Sequence, residues 1–538
     1  MTEAALPSEE GLHFSETRGR WVLLATILGS AVAGLDATVV NLALPAIGKD
    51  FNAGVSTLQW ILTAYLLTLA ALILVGGSLG DRFGRRKVFL IGVVWFALAS
   101  ALCGLAPNAS FLILARGLQG VGGALLTPGS LAIIQASFVP EDRARAIGAW
   151  SAFAGIATAV GPLVGGYLVD AVSWRAVFLL NLPLAVVVVI VSRRYVPESS
   201  DPGASHTIDY AGAILAVIGL AGVTYALVEA SGSATPALDA VIGAIGLLAL
   251  VGFVLVEMRS REPMVPLDVF RSRQFTSANL VTLVVYAALG GMLFLLGVYL
   301  QTALHYSPIE AGLALLPVTI LMLALSARSG AIATRIGPRI QMSVGPIIIA
   351  AGLLLMARIE PGQRYVTTAL PAVIVFGLGL ATTVAPLTST VLAAASMRHS
   401  GVASGINNAV ARSAQLLAVA ILPVVAGITG GAYRDPSKFV GGFRTAAFIT
   451  AGLAAAGGIL AWFTIRNDVL QTPDGELADP IGRDGDDGGD VAGRLADPDE
   501  RGRTAPDISR AHAADGSSHY FCGVDSPDTG HHDSAPTN

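Results

Sequence analysis

Fourteen runs of mostly apolar residues divide this chain, at roughly 21–46, 57–79, 88–106, 110–135, 145–170, 175–193, 208–229, 237–257, 275–302, 310–333, 340–357, 366–394, 401–427 and 443–465. Each approaches the ~20 residues that a helix needs to cross the hydrocarbon of a bilayer. No water is present at that depth to satisfy a bare backbone, so runs of this length fold as helices. Charged residues make up 13% of the chain, about half the share in a soluble domain. The expected fold class is an all-α polytopic membrane protein with 14 transmembrane helices. The first run starts near Trp21 with no cleavage site behind it, and reads as the first of those helices rather than a removable leader.

Orientation follows from Arg and Lys in the connections. One set of loops, from Arg82 to Arg398, carries fifteen basic residues, and the opposite set carries seven. The richer side is expected to be cytoplasmic, and an even number of spans then places both termini there. Arginine far outnumbers lysine, and alanine and glycine are abundant, a composition associated with GC-rich bacterial genomes. A bacterial inner membrane is therefore the expected location. Two cysteines, Cys103 and Cys522, supply neither a disulfide framework nor a metal-binding spacing. A Walker A sequence is absent, as is any nucleophile–base set in a soluble segment. An enzyme, an ATP-driven pump, a metal site and a nucleic-acid partner are thus not expected, and no cofactor is called for.

Between the second and third runs stands Gly77-Ser78-Leu79-Gly80-Asp81-Arg82-Phe83-Gly84-Arg85-Arg86-Lys87. A faded copy, Gly330 to Arg339, follows the tenth run, with Gly330, Arg335, Gly337 and Arg339 displaced by 253 residues from Gly77, Arg82, Gly84 and Arg86. A basic loop repeated once per half points to a duplicated transporter. Six helices per half would put the copy after the eighth run, so runs seven and eight read as an insertion. The expected organisation is a cytoplasmic N-terminus (1–20), an N-terminal six-helix bundle (21–194), a linker with two extra helices (195–274) and a C-terminal six-helix bundle (275–465). Residues 466–538 hold sixteen acids against six arginines without apolar periodicity, and are expected to be a disordered acidic cytoplasmic tail. Asp81 and Arg82 are expected to meet charges or helix ends of the other half, as a gate on that side, while Arg85, Arg86 and Lys87 also anchor topology.

Charges inside the spans are the functional candidates, because each is expensive in lipid. Asp36 lies nine residues before Pro45, and Arg116 lies eight residues beyond Asn108 on a span running the opposite way. At 1.5 Å per residue both sit about 12–14 Å below the same surface. They are expected to interact and to face a shared aqueous cavity, as a proton-coupling pair or else as a static tie between helices. Arg412, close to Asn407 and Asn408, either lines the cavity or binds backbone carbonyls. Glu229 and Asp209 read as ordinary interfacial charges, and Glu310 as an acid at a helix start. Asn41, Trp60, Tyr65, Gln119, Asn279, Tyr299, Gln301 and Asn407 are polar or aromatic candidates for the cavity wall, although residues of these types taken singly are more often helix-packing glue or interfacial aromatics.

Gly77-x-x-x-Asp81-Arg82-x-Gly84-Arg85-Arg86 resembles the signature loop of the major facilitator superfamily. Arg116-x-x-Gln119-Gly120-x-Gly122 resembles its buried-arginine motif. Gly148 and Gly161-Pro162-x-x-Gly165-Gly166 are similar to its antiporter motif, although Ala157 stands where a glycine is expected. Leu35 to Pro45, Trp174-Arg175 with Asn181-Leu182-Pro183, and Tyr299-Leu300-Gln301 with Ser307-Pro308 resemble the fourteen-helix drug:proton antiporters of EmrB/QacA type. The resemblance covers about residues 15–465. It implies a monomeric exporter of small hydrophobic or amphiphilic compounds, driven by the proton gradient through alternating access. Export of an endogenous metabolite or lipid, or a transporter-like receptor or scaffold, are the alternatives left open.

Overall fold

The apolar runs are helical throughout the computed structural model, which describes residues 11–201, 209–230, 235–260, 263–394, 400–429 and 436–470. The first seven helices are α1 (Thr17–Asp50), α2 (Val55–Phe83), α3 (Arg85–Gly104), α4 (Ala109–Ser137), α5 (Pro140–Ala171), α6 (Trp174–Leu179) and α7 (Asn181–Tyr195). Next come α8 (Tyr210–Glu229) and α9 (Pro236–Arg259). The remainder are α10 (Arg273–Thr302), α11 (Pro308–Ile336), α12 (Pro338–Met356), α13 (Ala369–Ala393), α14 (Ser400–Val425) and α15 (Pro436–Thr464). Helices α6 and α7 follow each other with only Leu180 between them, so the fifteen α-helices form fourteen membrane-length segments among the described residues. No strand occurs among those residues beyond an isolated bridge between Leu12 and Phe138.

Several starts follow from side chains that satisfy the orphan amides of a first turn. Asn108 accepts from Phe111 N at 2.9 Å. Ser307 and Glu310 form a reciprocal capping box at 3.3 and 2.8 Å, which gives Glu310 its helix-start role. Asp209 caps α8 by accepting from Gly212 N at 2.7 Å.

The helices on either side of α8 and α9 repeat one arrangement. In the first set α4 packs on α2 and α3, and α1 on α5 and α7. In the second set α13 packs on α11 and α12, and α10 on α14 and α15. The sets meet where α5 contacts α11, α2 contacts α14, and α1 contacts α10. Helix α8 lies against α2 and α14, and α9 packs on α8. Glu229, at the end of α8, accepts from Trp60 Nε1 at 2.9 Å and Ser56 Oγ at 3.1 Å on α2. The acid is thus a tie between the linker and the first bundle, and Trp60 serves that tie rather than a cavity. Helix α9 turns Leu238, Ile245, Leu248 and Met258 outward, the surface expected of a lipid-facing helix.

Prolines inside spans explain three of the closest helix contacts. A proline has no N–H, so the carbonyl four residues earlier loses its partner. Pro423 in α14 frees Val419 O, and Gln59 of α2 donates Nε2–H to it at 2.7 Å. Pro386 in α13 frees Thr382 O, which accepts from Ser329 Oγ of α11 at 3.2 Å. Pro128 in α4 frees Ala124 O, and there α2 presents Gly76, where an added Cβ would collide with that oxygen. Leaving such a buried carbonyl unmet costs about 1–3 kcal/mol.

The end bearing Arg82, Arg85 and Arg86 is open between the sets, and the opposite, Arg-poor end is closed. At the closed end Gln301 Nε2 of α10 donates to Leu42 O of α1 at 3.0 Å. Gly166 of α5 abuts Pro308 and Ile309, and Gly312 of α11 abuts Pro162 O, each too closely for a side chain. One apolar cluster there includes Val40, Leu44 and Leu58 of the first set and Leu295, Tyr299 and Leu422 of the second. Outside it, Asp50 accepts from Arg175 Nη1 at 2.9 Å and Trp174 Nε1 at 3.0 Å.

Candidate functional site

Five segments of the first bundle converge on one buried polar cluster. Arg116 Nη1 of α4 lies 2.5 Å from Asp36 Oδ2 of α1. The other carboxylate oxygen, Oδ1, accepts from Gln119 Nε2 at 2.8 Å and Asn181 Nδ2 at 3.3 Å. Arg116 also donates to Gln119 Oε1 at 2.6 Å and, through Nε, to Ile61 O of α2 at 3.1 Å. Ser100 of α3 accepts from Asn181 and Gln119 and donates to Phe178 O at 2.9 Å. Cys103 Sγ lies 3.6 Å from Gln119 Oε1. The opposed directions of α1 and α4 bring the two charges to one depth.

Asp36 and Arg116 are 2% and 1% exposed, so the pair does not face water in this conformation. A buried pair stabilises only when its remaining donors and acceptors are met, and losing one member costs about 3–5 kcal/mol. Gln119, Asn181 and the Ile61 carbonyl meet that need. Asn181 and Ser100 are parts of the cluster that charge placement in the sequence does not identify. Asn181 could be found as a polar residue at the start of a half-span, whereas Ser100 carries no signal of its own.

A cavity of about 470 Å³ runs between the two sets from Tyr65 and Arg412 to Asp81 and Arg85. Tyr65 divides it from the ion pair: its ring lies 4.4 Å below the Arg116 guanidinium, and the same residue contributes to the cavity wall. Ser30, Trp150, Tyr286 and Asn408 also line it. A side pocket of about 120 Å³ shares Arg412, Tyr286 and Asn408 with it and adds Asn407.

Of the residues singled out for the cavity, Tyr65 and Arg412 line the main chamber and Asn407 the side pocket. The others do different work. Gln119 belongs to the ion-pair cluster. Asn279 accepts from Asn407 Nδ2 at 3.1 Å, within the second bundle. Tyr299 donates to Ile359 O at 2.7 Å and stacks on Phe443 at 3.9 Å. Asn41 bonds back to Ala37 O beside α10, and Gln301 closes the Arg-poor end.

The motif glycines divide similarly. Gly161 and Gly165 press α5 onto Thr38 and Val39 of α1, while Gly166 and Pro162 meet α11. Gly148 has open space around it, so packing alone does not demand glycine there.

At the open end Asp81 pairs with Arg85 at 2.8 Å, within its own bundle, rather than with the other half. Gly77 lines the cavity, and Arg82 lies over Phe83. Gly84 adopts φ +107°, a conformation that favours glycine, and Glu198 packs against it while accepting from Arg86 N at 3.0 Å. The second copy is gripped in the same way: Gly337 has φ +85°, and Asn467 packs on it and accepts from Arg339 N at 3.2 Å. Arg86 reaches Val196 O, and Arg339 reaches Trp462 O. Arg466 N also donates to Gln274 Oε1 at 3.1 Å, so the first residues after α15 are tied to the second bundle. The rest of the expected tail lies outside the described residues.

Residues 26–419 match the family model described as Major Facilitator Superfamily. Among curated relatives, the chain is 35% identical to the puromycin resistance protein of Streptomyces alboniger, over 89% of this chain and 97% of that one. It is 35% identical to the tetracenomycin C resistance and export protein of Streptomyces glaucescens, covering 76% and 77% of the two chains. Among solved structures, a POT family transporter in complex with a thioalcohol-conjugated peptide superposes with a TM-score of 0.63 at 14% identity, covering 82% of this chain and 94% of that one. At that identity the likeness speaks for the fold.

Proposed function

The chain belongs to the Major Facilitator Superfamily, and we propose that it is a proton-coupled exporter of small hydrophobic or amphiphilic compounds, antibiotics among them. The observation that carries this reading is a buried Asp36–Arg116 pair one aromatic ring away from a cavity of drug-like size. Relatives named for antibiotic resistance and export support the direction of transport and the class of cargo.

In this reading the Arg-rich side is cytoplasmic, and the chain is seen open to the cytoplasm. A compound enters between the bundles while Asp36 is ionised and held by Arg116. Rocking of the bundles breaks the closed end, where Gln59, Gln301, Gly166 and Gly312 join the halves, and opens the opposite face. A proton arriving from that face neutralises Asp36, and Arg116 loses its counter-charge. Tyr65, packed on the guanidinium, carries the resulting shift to the cavity wall. The neutral acid favours return to the state open to the cytoplasm, where the proton is released, so the proton moves inward as the compound leaves. The proton gradient is the energy source, and a single chain supplies the whole cavity.

Proteoliposomes with an imposed pH gradient and a panel of fluorescent dyes test the proposal. The wild-type protein should accumulate dye against its gradient, and Asp36→Asn should abolish the dependence on the pH gradient. Undiminished proton-driven transport by that variant would remove Asp36 from the coupling role.

A further inference from the structure

The cavity wall carries three charged residues, Asp81, Arg85 and Arg412. Asp81 and Arg85 neutralise each other at 2.8 Å near the mouth. Arg412 has no such partner: among the described residues no carboxylate lies within ion-pair distance of it, and its side-chain hydrogen bond goes to the neutral Gln415 Oε1 at 3.2 Å. The one acid deep in the membrane, Asp36, is committed to Arg116 behind Tyr65. The inner chamber therefore presents a single uncompensated positive charge.

We infer that this chamber selects amphiphilic organic anions, with the carboxylate, sulfonate or phenolate of the cargo docking on Arg412. A lone cation held at membrane depth lacks the counter-charge that such groups ordinarily have, and a bound anion supplies it. The guanidinium fork matches a carboxylate or sulfonate through two parallel hydrogen bonds. Asn408 shares the wall beside it, and Tyr286 and Trp150 line the chamber with aromatic surface for an aromatic body. A cationic compound of equal shape meets like charge instead, and is rejected by it. The side pocket, which shares Arg412 with the main chamber, gives room for a substituent next to the acid group. The inference rests on the exporter reading for what happens after binding, while the charge preference belongs to the cavity itself.

Fluorescein and rhodamine 123 share a xanthene scaffold and differ in charge, so they isolate the effect. Binding of each to the full-length protein in nanodiscs, followed by fluorescence anisotropy, should favour fluorescein by about tenfold or more, the lower value of one charge-assisted hydrogen bond. Arg412→Gln should erase that ratio and Arg412→Lys should keep part of it, with thermal melts confirming that both variants remain folded. Equal or tighter binding of rhodamine 123, an unchanged ratio in Arg412→Gln, or no fluorescein bound above protein-free nanodiscs would overturn the assignment. Absence of proton-driven transport alongside an intact fluorescein preference would count against the exporter reading and leave the anion site standing.

Discussion

The two six-helix bundles share one pattern of neighbours and differ in what fills them. The first holds a buried ion pair served by Ser100, Gln119 and Asn181. By the 253-residue offset between the two loops, the place of Asp36 falls to Leu289 in the second, and Leu289 belongs to an apolar cluster. Gly76 leaves room for the freed carbonyl in α4, whereas its counterpart in α13 accepts from Ser329. Asp81 and its partner Arg85 have Thr334 and Pro338 as counterparts. Duplication thus preserved the joints, while titratable chemistry collected in one half and an unpaired cation in the other. In the proposed cycle, a proton site on one bundle and a cargo site on the other are coupled by the motion between them.

The largest effect should come from breaking the ion pair. Arg116→Ala leaves a buried carboxylate without its counter-charge and should lower stability by about 3–5 kcal/mol, with loss of transport. The double variant Asp36→Asn/Arg116→Gln should recover much of the melting temperature but no proton-driven transport. Leu289→Ala should also destabilise, by about 2–5 kcal/mol, yet keep transport dependent on the pH gradient. If it instead abolished that dependence, the division of labour between the bundles would collapse.

Gln59→Leu should come next, because it strands the Val419 carbonyl at a cost of about 1–3 kcal/mol. Since that bond joins the halves, a cysteine introduced at Asn41 should react faster with a membrane-impermeant maleimide in the variant. Unchanged labelling would mean that the apolar cluster alone closes this end.

Gly76→Ala and Ser329→Ala sharpen the comparison within the joints. The first forces a methyl against Ala124 O and should destabilise by about 1–3 kcal/mol, and the second strands the Thr382 carbonyl and removes an acceptor of Gln341 Nε2, also at about 1–3 kcal/mol. Thermal melts in which Gly76→Ala cost nothing would show that α2 can shift to absorb the methyl. Smallest should be the loop clasps, where Glu198→Ala and Asn467→Ala each remove a helix cap worth about 1 kcal/mol. Transport assays should still find Asp81→Asn more harmful than Thr334→Ala, and equal losses would erase the functional asymmetry of the two loops.

The order of residues alone makes much of this legible. Hydrocarbon dictates span length, so the helices can be read from their apolar runs, and opposed spans carrying Asp36 and Arg116 at one depth have to bring them together. The cavity is harder to read, because lipid is as apolar as a protein interior and sequence periodicity does not say which face of a span looks inward. For that reason Asn279, Tyr299 and Gln301 read as cavity wall in the sequence, whereas in the fold they tie helices together. Gln59 and Ser329 answer carbonyls that only a folded neighbour reveals. Glu198 and Asn467 stand among other polar residues after their bundles, where nothing local distinguishes a cap from a solvated side chain.

The clasp around Gly84 also marks where the first bundle releases the chain. Val196 O binds Arg86, Glu198 and Ser199 O hold the start of α3, and the Asp201 amide bonds Asp81 O. These residues follow the last helix of the bundle yet belong to it. A split-gene version, an inserted tag or an engineered protease site meant to part the halves should therefore be placed after Asp201. Placed at Arg194, where the apolar run ends, the same cut would carry away the cap of a helix it was never meant to touch.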